Sequence, residues 1–154
     1  MAFLSSINII GSGITAQHLR LDVISENITN IQTTRTEDGG PYRRKVVVFQ
    51  AQDGRRNAFR EVLARAQNGQ VSNAGYETSG GVRVVEIAED PSDFKLRYDP
   101  TDPDANDEGY VEMPNVDLIK EITDAMAASQ AYSADVTAFN VLKNVVSSGL
   151  EIGR

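Results

Sequence analysis

Apolar residues in the first fifth of the chain recur at alternating intervals of three and four. Ile7, Ile10, Ile14, Leu21, Ile24, Ile28 and Ile31 fall on the a and d positions of a heptad, and only Gln17 interrupts them. This spacing makes a narrow apolar stripe, suited to one partner helix rather than to a broad core. The pattern returns at the other terminus in Leu118, Ile122, Ala125, Ser129, Tyr132, Val136, Phe139, Val146 and Leu150, with Lys143 as the polar interruption. One helix is predicted from near Phe3 or Ser6 to about Asn30. A second is predicted from an N-cap at Asn115 or Asp117 to Leu150, with Asp117 and Glu121 near its start, where acids suit the helix dipole. The expected fold is mainly α with a small β element, its heptad helices paired as an antiparallel-type coiled coil. Within that pair, Ile14, Leu21, Ile24 and Ile28 are expected to meet Ile122, Tyr132, Val136 and Phe139.

The middle of the chain follows another pattern. Gly11 and Gly13 each weaken the first helix by about 1 kcal/mol relative to Ala, so a bend or frayed start is expected there. From Asp22 to Thr36, Asn, Ser and Thr become dense, and their side chains compete for backbone groups, which ends a helix. Glu37–Tyr42 (EDGGPY) is a turn signal. Arg43–Gln50 (RRKVVVFQ) and Val82–Ala88 (VRVVEIA) are β-branched runs that predict strands. Asp53-Gly54, Asn68-Gly69 and Gly80-Gly81 mark further turns, and Asn57–Ala66 suits a short helix or a strand equally. Asp90–Asn115 holds Pro91, Pro100, Pro103 and Pro114, which exclude regular helix and predict a loop. Three segments result: a helix over 1–33, a β-rich middle with its Pro/Asp-rich loop over 34–113, and a helix over 114–154.

Composition narrows the chemistry. The chain has no cysteine and one histidine, so neither a disulfide nor a Cys/His or multi-histidine metal site can be assembled. The net charge of −7 is uneven: residues 31–65 carry eight basic groups against four acids, and residues 66–154 carry six against sixteen. An acidic chain is a poor nucleic-acid binder. Basic and acidic segments on one molecule suit either head-to-tail attraction between like subunits or two solvated faces. The start, MAFLSSINIIGSG, has no basic residue before its apolar run and does not read as a cleavable signal. No run reaches the roughly 20 apolar residues of a membrane span.

Candidate reactive groups give little. His18 lies on the first helix beside the seam and reads as a surface or interface residue. Asp102, Asp104 and Asn106 match the first ligands of an EF-hand, but Asp107 stands where Gly is required and Met113 where a bidentate Glu is required. Gly11-Ser12-Gly13 and Gly39-Gly40 extend to no nucleotide-binding fingerprint. No catalytic residue, cofactor or metal is expected. The heptads alone would equally serve a small dimeric adaptor or chaperone in solution.

Longer segments are more specific. SGITAQHLRLDVISENITNIQTTRTEDGGPYRRKVVVF resembles the N-terminal signature of the bacterial flagellar rod and hook axial proteins. GGVRVVEI, FKLRYDPTDPDANDEGYVEMPNVD and AYSADVTAFNVLKN…LEIGR are similar to segments of the same family in the same order, and together they cover nearly the whole chain. The sequence departs from the family where Gln130–Asp135 and Glu26–Asn30 replace its usual Arg-Ala-Tyr-Glu-Ala-Asn and Asn-Asn-Ile-Ala-Asn; Ala51–Ser79 is the least similar part. The resemblance implies a structural subunit of the proximal rod of the flagellar basal body, exported uncleaved by the flagellar type III apparatus and not inserted in a membrane. Its implied partners are copies of itself, proximal and distal rod subunits and the protein joining the rod base to the MS ring. Helix packing and assembly would rest on Ile7, Ile10, Ile14, Leu21, Ile24, Ile28 and Ile31, with Leu118, Ile122, Met126, Tyr132, Val136, Phe139, Val146 and Leu150. Val23, Ile119 and Leu142 are further positions that neighbours would cover.

Overall fold

The computed structural model describes residues 2–37, 39–52 and 80–152. The order of elements is α1 (Ala2–Thr29), β1 (Lys45–Ala51), β2 (Val82–Glu89), β3 (Lys95–Tyr98), β4 (Tyr110–Met113) and α2 (Leu118–Ile152). The turns expected at Asp53-Gly54 and Asn68-Gly69, and the element expected at Asn57–Ala66, lie outside the described residues.

The α1 helix is continuous through Gly11 and Gly13. It stops where Asn, Ser and Thr accumulate. Asn30 donates from both its backbone N–H and its side-chain Nδ2 to Glu26 O, and the Thr33 hydroxyl donates to Asn30 Oδ1. These local bonds replace the next helical turn. At the start of α2, Asp117 Oδ1 accepts from the backbone N–H groups of Ile119 and Lys120, so Asp117 is the N-cap. Asn115 is used elsewhere.

The two helices lie antiparallel. Asn27 meets Glu121, the ring of His18 lies 6.5 Å from that of Tyr132, and Asp135 lies against Gly13. Position numbers thus fall along α1 as they rise along α2. The backbones come close enough that a Cβ on Gly13 would sit 2.8 Å from Asp135 Oδ2. Ala16 and Ala128 are buried as well. Small residues, not a zipper of large ones, allow this approach.

β1 and β2 pair antiparallel, with an irregularity between Val48 and Phe49. Their hairpin docks on α1, where the Ser12 hydroxyl accepts from Val82 N–H and donates to Ile9 O. A second antiparallel pair, β3 and β4, lies inside the stretch expected to be loop. The prolines stand outside both strands, and Asp99, Asp102 and Asn106 side chains accept backbone N–H groups two to four residues ahead in the turn between them. The expectation of a structureless 90–115 is therefore corrected: the Pro/Asp/Asn composition describes the turn, and short strands flank it.

Candidate functional site: the helix pair and its polar junction

The inward face of α2 is displaced from the seam read in its sequence. Glu121 and Ala128 are fully buried, each at 0% exposure, whereas Leu118, Ile122 and Met126 are exposed, Met126 at 61%. Ser129 and Leu150 are exposed as well, while Ala125, Tyr132, Val136 and Val146 are half-buried. On α1, Ile24 is buried with Val23, and Ile7, Ile10, Ile14, Leu21, Ile28 and Ile31 are half-buried. Counting large apolar residues misplaces this contact because alanine, glycine and charged side chains make it. On α2 the large residues Leu118, Ile122 and Met126 stand outside it.

Two open apolar grooves follow. One, of about 740 Å³, lies between the N-terminal part of α1 and the C-terminal part of α2, lined by Ile9, Ile10, Ala134, Ala138, Val141 and Leu142. The other, of about 490 Å³, is lined by Leu21 and Ile28 against Ile122, Ala125 and Met126. Leu21, Ile28 and Ile122 thus line an open groove rather than a closed seam. Phe139 is exposed at the far end. His18 bonds to Asp22 on the solvent face at 3.0 Å.

Where α1 ends, β1 begins and α2 starts, the structure buries a polar cluster that the sequence did not single out. Asn27 uses every hydrogen-bonding position it has. Its Nδ2 donates to Lys45 O at 2.9 Å and to Glu121 Oε2 at 3.0 Å, and its Oδ1 accepts from Lys45 N–H and the Tyr42 hydroxyl, both at 2.9 Å. Glu121 completes its pairing through Arg44 Nε, at 2.7 Å from Oε1. The Arg44 guanidinium, 11% exposed, also reaches Asp90 at 3.3 Å and Asp124 at 3.5 Å. Asn115 receives Arg44 N–H and donates to the carbonyls of Asp90 and Ser92. Lys45 pairs with Glu26 on the rim.

The electrostatics follow from this enclosure. Burial first, then the charges of Glu26, Glu121 and Glu89, push the Tyr42 phenol up to about 12. Burial acts to lower the Arg44 pKa, but bonds and charges from Glu121 and then Asp90 outweigh it and hold it above its ordinary value. The Ser92 backbone N–H, followed by the Ser92 side chain and Arg44, holds the Asp90 carboxyl below the usual range. A buried carboxyl group is costly unless paired and hydrogen-bonded, and Glu121 has both kinds of partner. The sequence marked Glu121 only as an acid suited to the helix dipole, and nothing marked it as buried, since an acid in the first helical turn ordinarily faces water. The one available hint was Asn27, a polar residue three after Ile24 and one before Ile28 on the inward side of the seam.

Among the described residues no group of three or more His, Cys, Asp or Glu is placed to hold a metal ion. The acids of the β3–β4 turn face outward pairs instead: Asp102 with Arg97, and Asp104 with Thr34 and Arg35. No helix among them is long and apolar enough to cross a membrane.

The class defined by this fold and site is an elongated helix-pair protein with a small β arm and open apolar grooves along the pair. Comparison with known proteins supplies the particular family. A family profile described as flagellar basal body rod FlgEFG protein, C-terminal, matches residues 107–151. The flagellar basal-body rod protein FlgC of Bacillus subtilis is 44% identical over the whole of both chains. That of Borreliella burgdorferi is 42% identical over 99% of this chain and 98% of its own, and that of Escherichia coli O157:H7 is 36% identical over the whole of both. The chain belongs to the FlgC family of flagellar basal-body rod proteins and is a structural subunit of the rod.

Proposed function

We propose that the chain acts mechanically, as a stave of the proximal rod that carries torque from the rotary motor toward the hook and filament. The observation that carries this reading is the placement of large apolar residues outside the helix pair. Ile119, Ile122 and Met126 stand in one exposed row at intervals of three and four, and Val141, Val145 and Leu150 are exposed separately toward the far end of α2. Large apolar side chains left exposed in a row mark a place where another protein sits. Copies of this chain, other proximal and distal rod subunits, and the protein at the rod base are the partners the reading requires. Contacts between like subunits that do not close on themselves generate a helical tube, and a densely packed interior resists twisting.

On this reading the segments divide the work: 1–33 and 114–154 lie toward the rod axis, and 34–113 lies outside them. The chain reaches the rod through the flagellar type III apparatus without cleavage, and neither cofactor nor catalysis enters. The packing residues are those of the two grooves and the seam, including Leu21 and Val136. Leu21→Asp and Val136→Asp are expected to abolish rod assembly and swimming while the altered chain is still exported. Immunoblots of the exported fraction and a soft-agar motility assay check this; a motile strain carrying either change contradicts it. A stable, soluble dimer of the native chain that does not enter rods would favour an adaptor instead.

A further inference from the structure

The large apolar residues of the helix pair do not set how far one helix slides along the other. A heptad pattern looks much the same after a shift of seven residues, about 10 Å along the axis. The inward side of α2 is mostly small, with Ala125, Ala128 and Ala131, and such residues accept several neighbours. A single polar contact buried in such a pair is the best-attested device for fixing register. Here the buried bond across the helices is Asn27 to Glu121, with Arg44 on the other carboxylate oxygen of Glu121; the Arg20–Asp124 ion pair at 3.6 Å also crosses the helices but is part-exposed. Asn27 is itself tied to β1 through the Lys45 backbone in both directions. A slip of α2 by one heptad would therefore leave Glu121 and Arg44 apart, and Asn27 without its acceptor, while the apolar contacts could re-form.

We propose that Asn27, Arg44 and Glu121 form the register key of the helix pair, selecting one of several packings that the apolar residues alone would allow. The inference concerns a contact within one chain and stands whether or not the grooves meet neighbours in the manner proposed above. Its consequence is specificity: only one register places the exposed row Ile119, Ile122 and Met126 at a defined height along α1.

The absence of cysteine makes a clean test possible, because introduced thiols have no competitor in the chain. His18→Cys with Tyr132→Cys reports the native register, since those rings are neighbours. His18→Cys with Ala125→Cys or Phe139→Cys reports a slip of one heptad in either direction. Each pair is introduced into the native chain and into a variant carrying Asn27→Leu, Arg44→Met and Glu121→Leu. Intramolecular cross-linking by a short thiol reagent is then read on the purified, unassembled full chain. The native chain is expected to give the 18–132 link alone. The variant is expected to keep its helical circular dichroism and to divide its cross-links between 18–132 and a shifted pair. An 18–132 link alone in the variant overturns the proposal and assigns the register to the Arg20–Asp124 pair, to Asn115 and to the close approach at Gly13. Loss of the helical signal in the variant also overturns it, because the cluster would then supply stability that the apolar contacts cannot.

Discussion

Asn27 holds more of the junction together than its size suggests, because each of its four hydrogen bonds ends on a different group of the surrounding elements or on β1 backbone. Asn27→Ala would strand the Lys45 N–H, the Tyr42 hydroxyl and one Glu121 oxygen out of reach of water. Orphaned buried groups cost roughly 1–3 kcal/mol each, and with partial relaxation a loss of about 3 kcal/mol is expected. Urea unfolding of the full chain, followed by circular dichroism, checks it; a loss under half of that would mean water enters the junction. Tyr42 gives a second test. Its phenol ionises near 10 when unfolded and at about 12 when folded, so the folded state binds the proton more tightly between those values. Stability from this group is complete below pH 10 and falls as pH rises toward 12, by about 2–3 kcal/mol at 1.36 kcal/mol per pKa unit. Tyr42→Phe should flatten that fall, although it also gives up the bond to Asn27. These residues were hard to read in the chain for a shared reason. The value of Asn27, Arg44 and Glu121 lies in one another, and they are separated by 17 and 77 positions. Local pattern carries no information about such pairs.

At the scale of elements, α1, α2, β1 and β2 were legible because each has a long run with one period, and caps or turn residues at its ends. β3 and β4 were not. Each strand has four residues, too few to show alternation, and both side chains that would advertise them, Tyr98 and Tyr110, meet edge to face at the surface with ring centroids 5.2 Å apart. Prolines and aspartates of the intervening turn dominated the reading. The hairpin depends on Gly109, whose φ of +81° is costly for any other residue type, and where a Cβ would lie 3.1 Å from the Tyr98 ring. Gly109→Val is expected to weaken this hairpin by about 1–3 kcal/mol through backbone strain alone. Faster amide exchange over 95–98 and 110–113, with β1 and β2 unchanged, would confirm it. Equal loss of protection in both sheets would show instead that they fold as one unit. The misplaced seam of α2 has a different origin. Sequence periodicity reports where large apolar residues lie, and here those residues serve an outer surface while small and charged ones make the inner contact.

The whole molecule is built unevenly, and that unevenness is its functional content. Near the β arm the two helices are fixed by buried, fully paired polar groups and by the cap at Asp117. Toward the other end a groove lined by Ile9, Ile10, Val141 and Leu142 stays open, and much of the last third of α2 is exposed, with Leu150 at 71%. Isolated helices of this kind gain little from propensity and depend on a packed face, so their far ends should open readily until neighbours cover them. The family of rod proteins to which the chain belongs gives those neighbours a place. Amide hydrogen exchange, compared between the unassembled full chain and purified rods, tests this most directly. The account predicts slow exchange at 20–29 and 118–128 in both states, but rapid exchange at 5–12 and 138–151 that becomes slow only in rods. Uniform slow exchange along both helices before assembly would contradict it, because the pair would then be complete without neighbours.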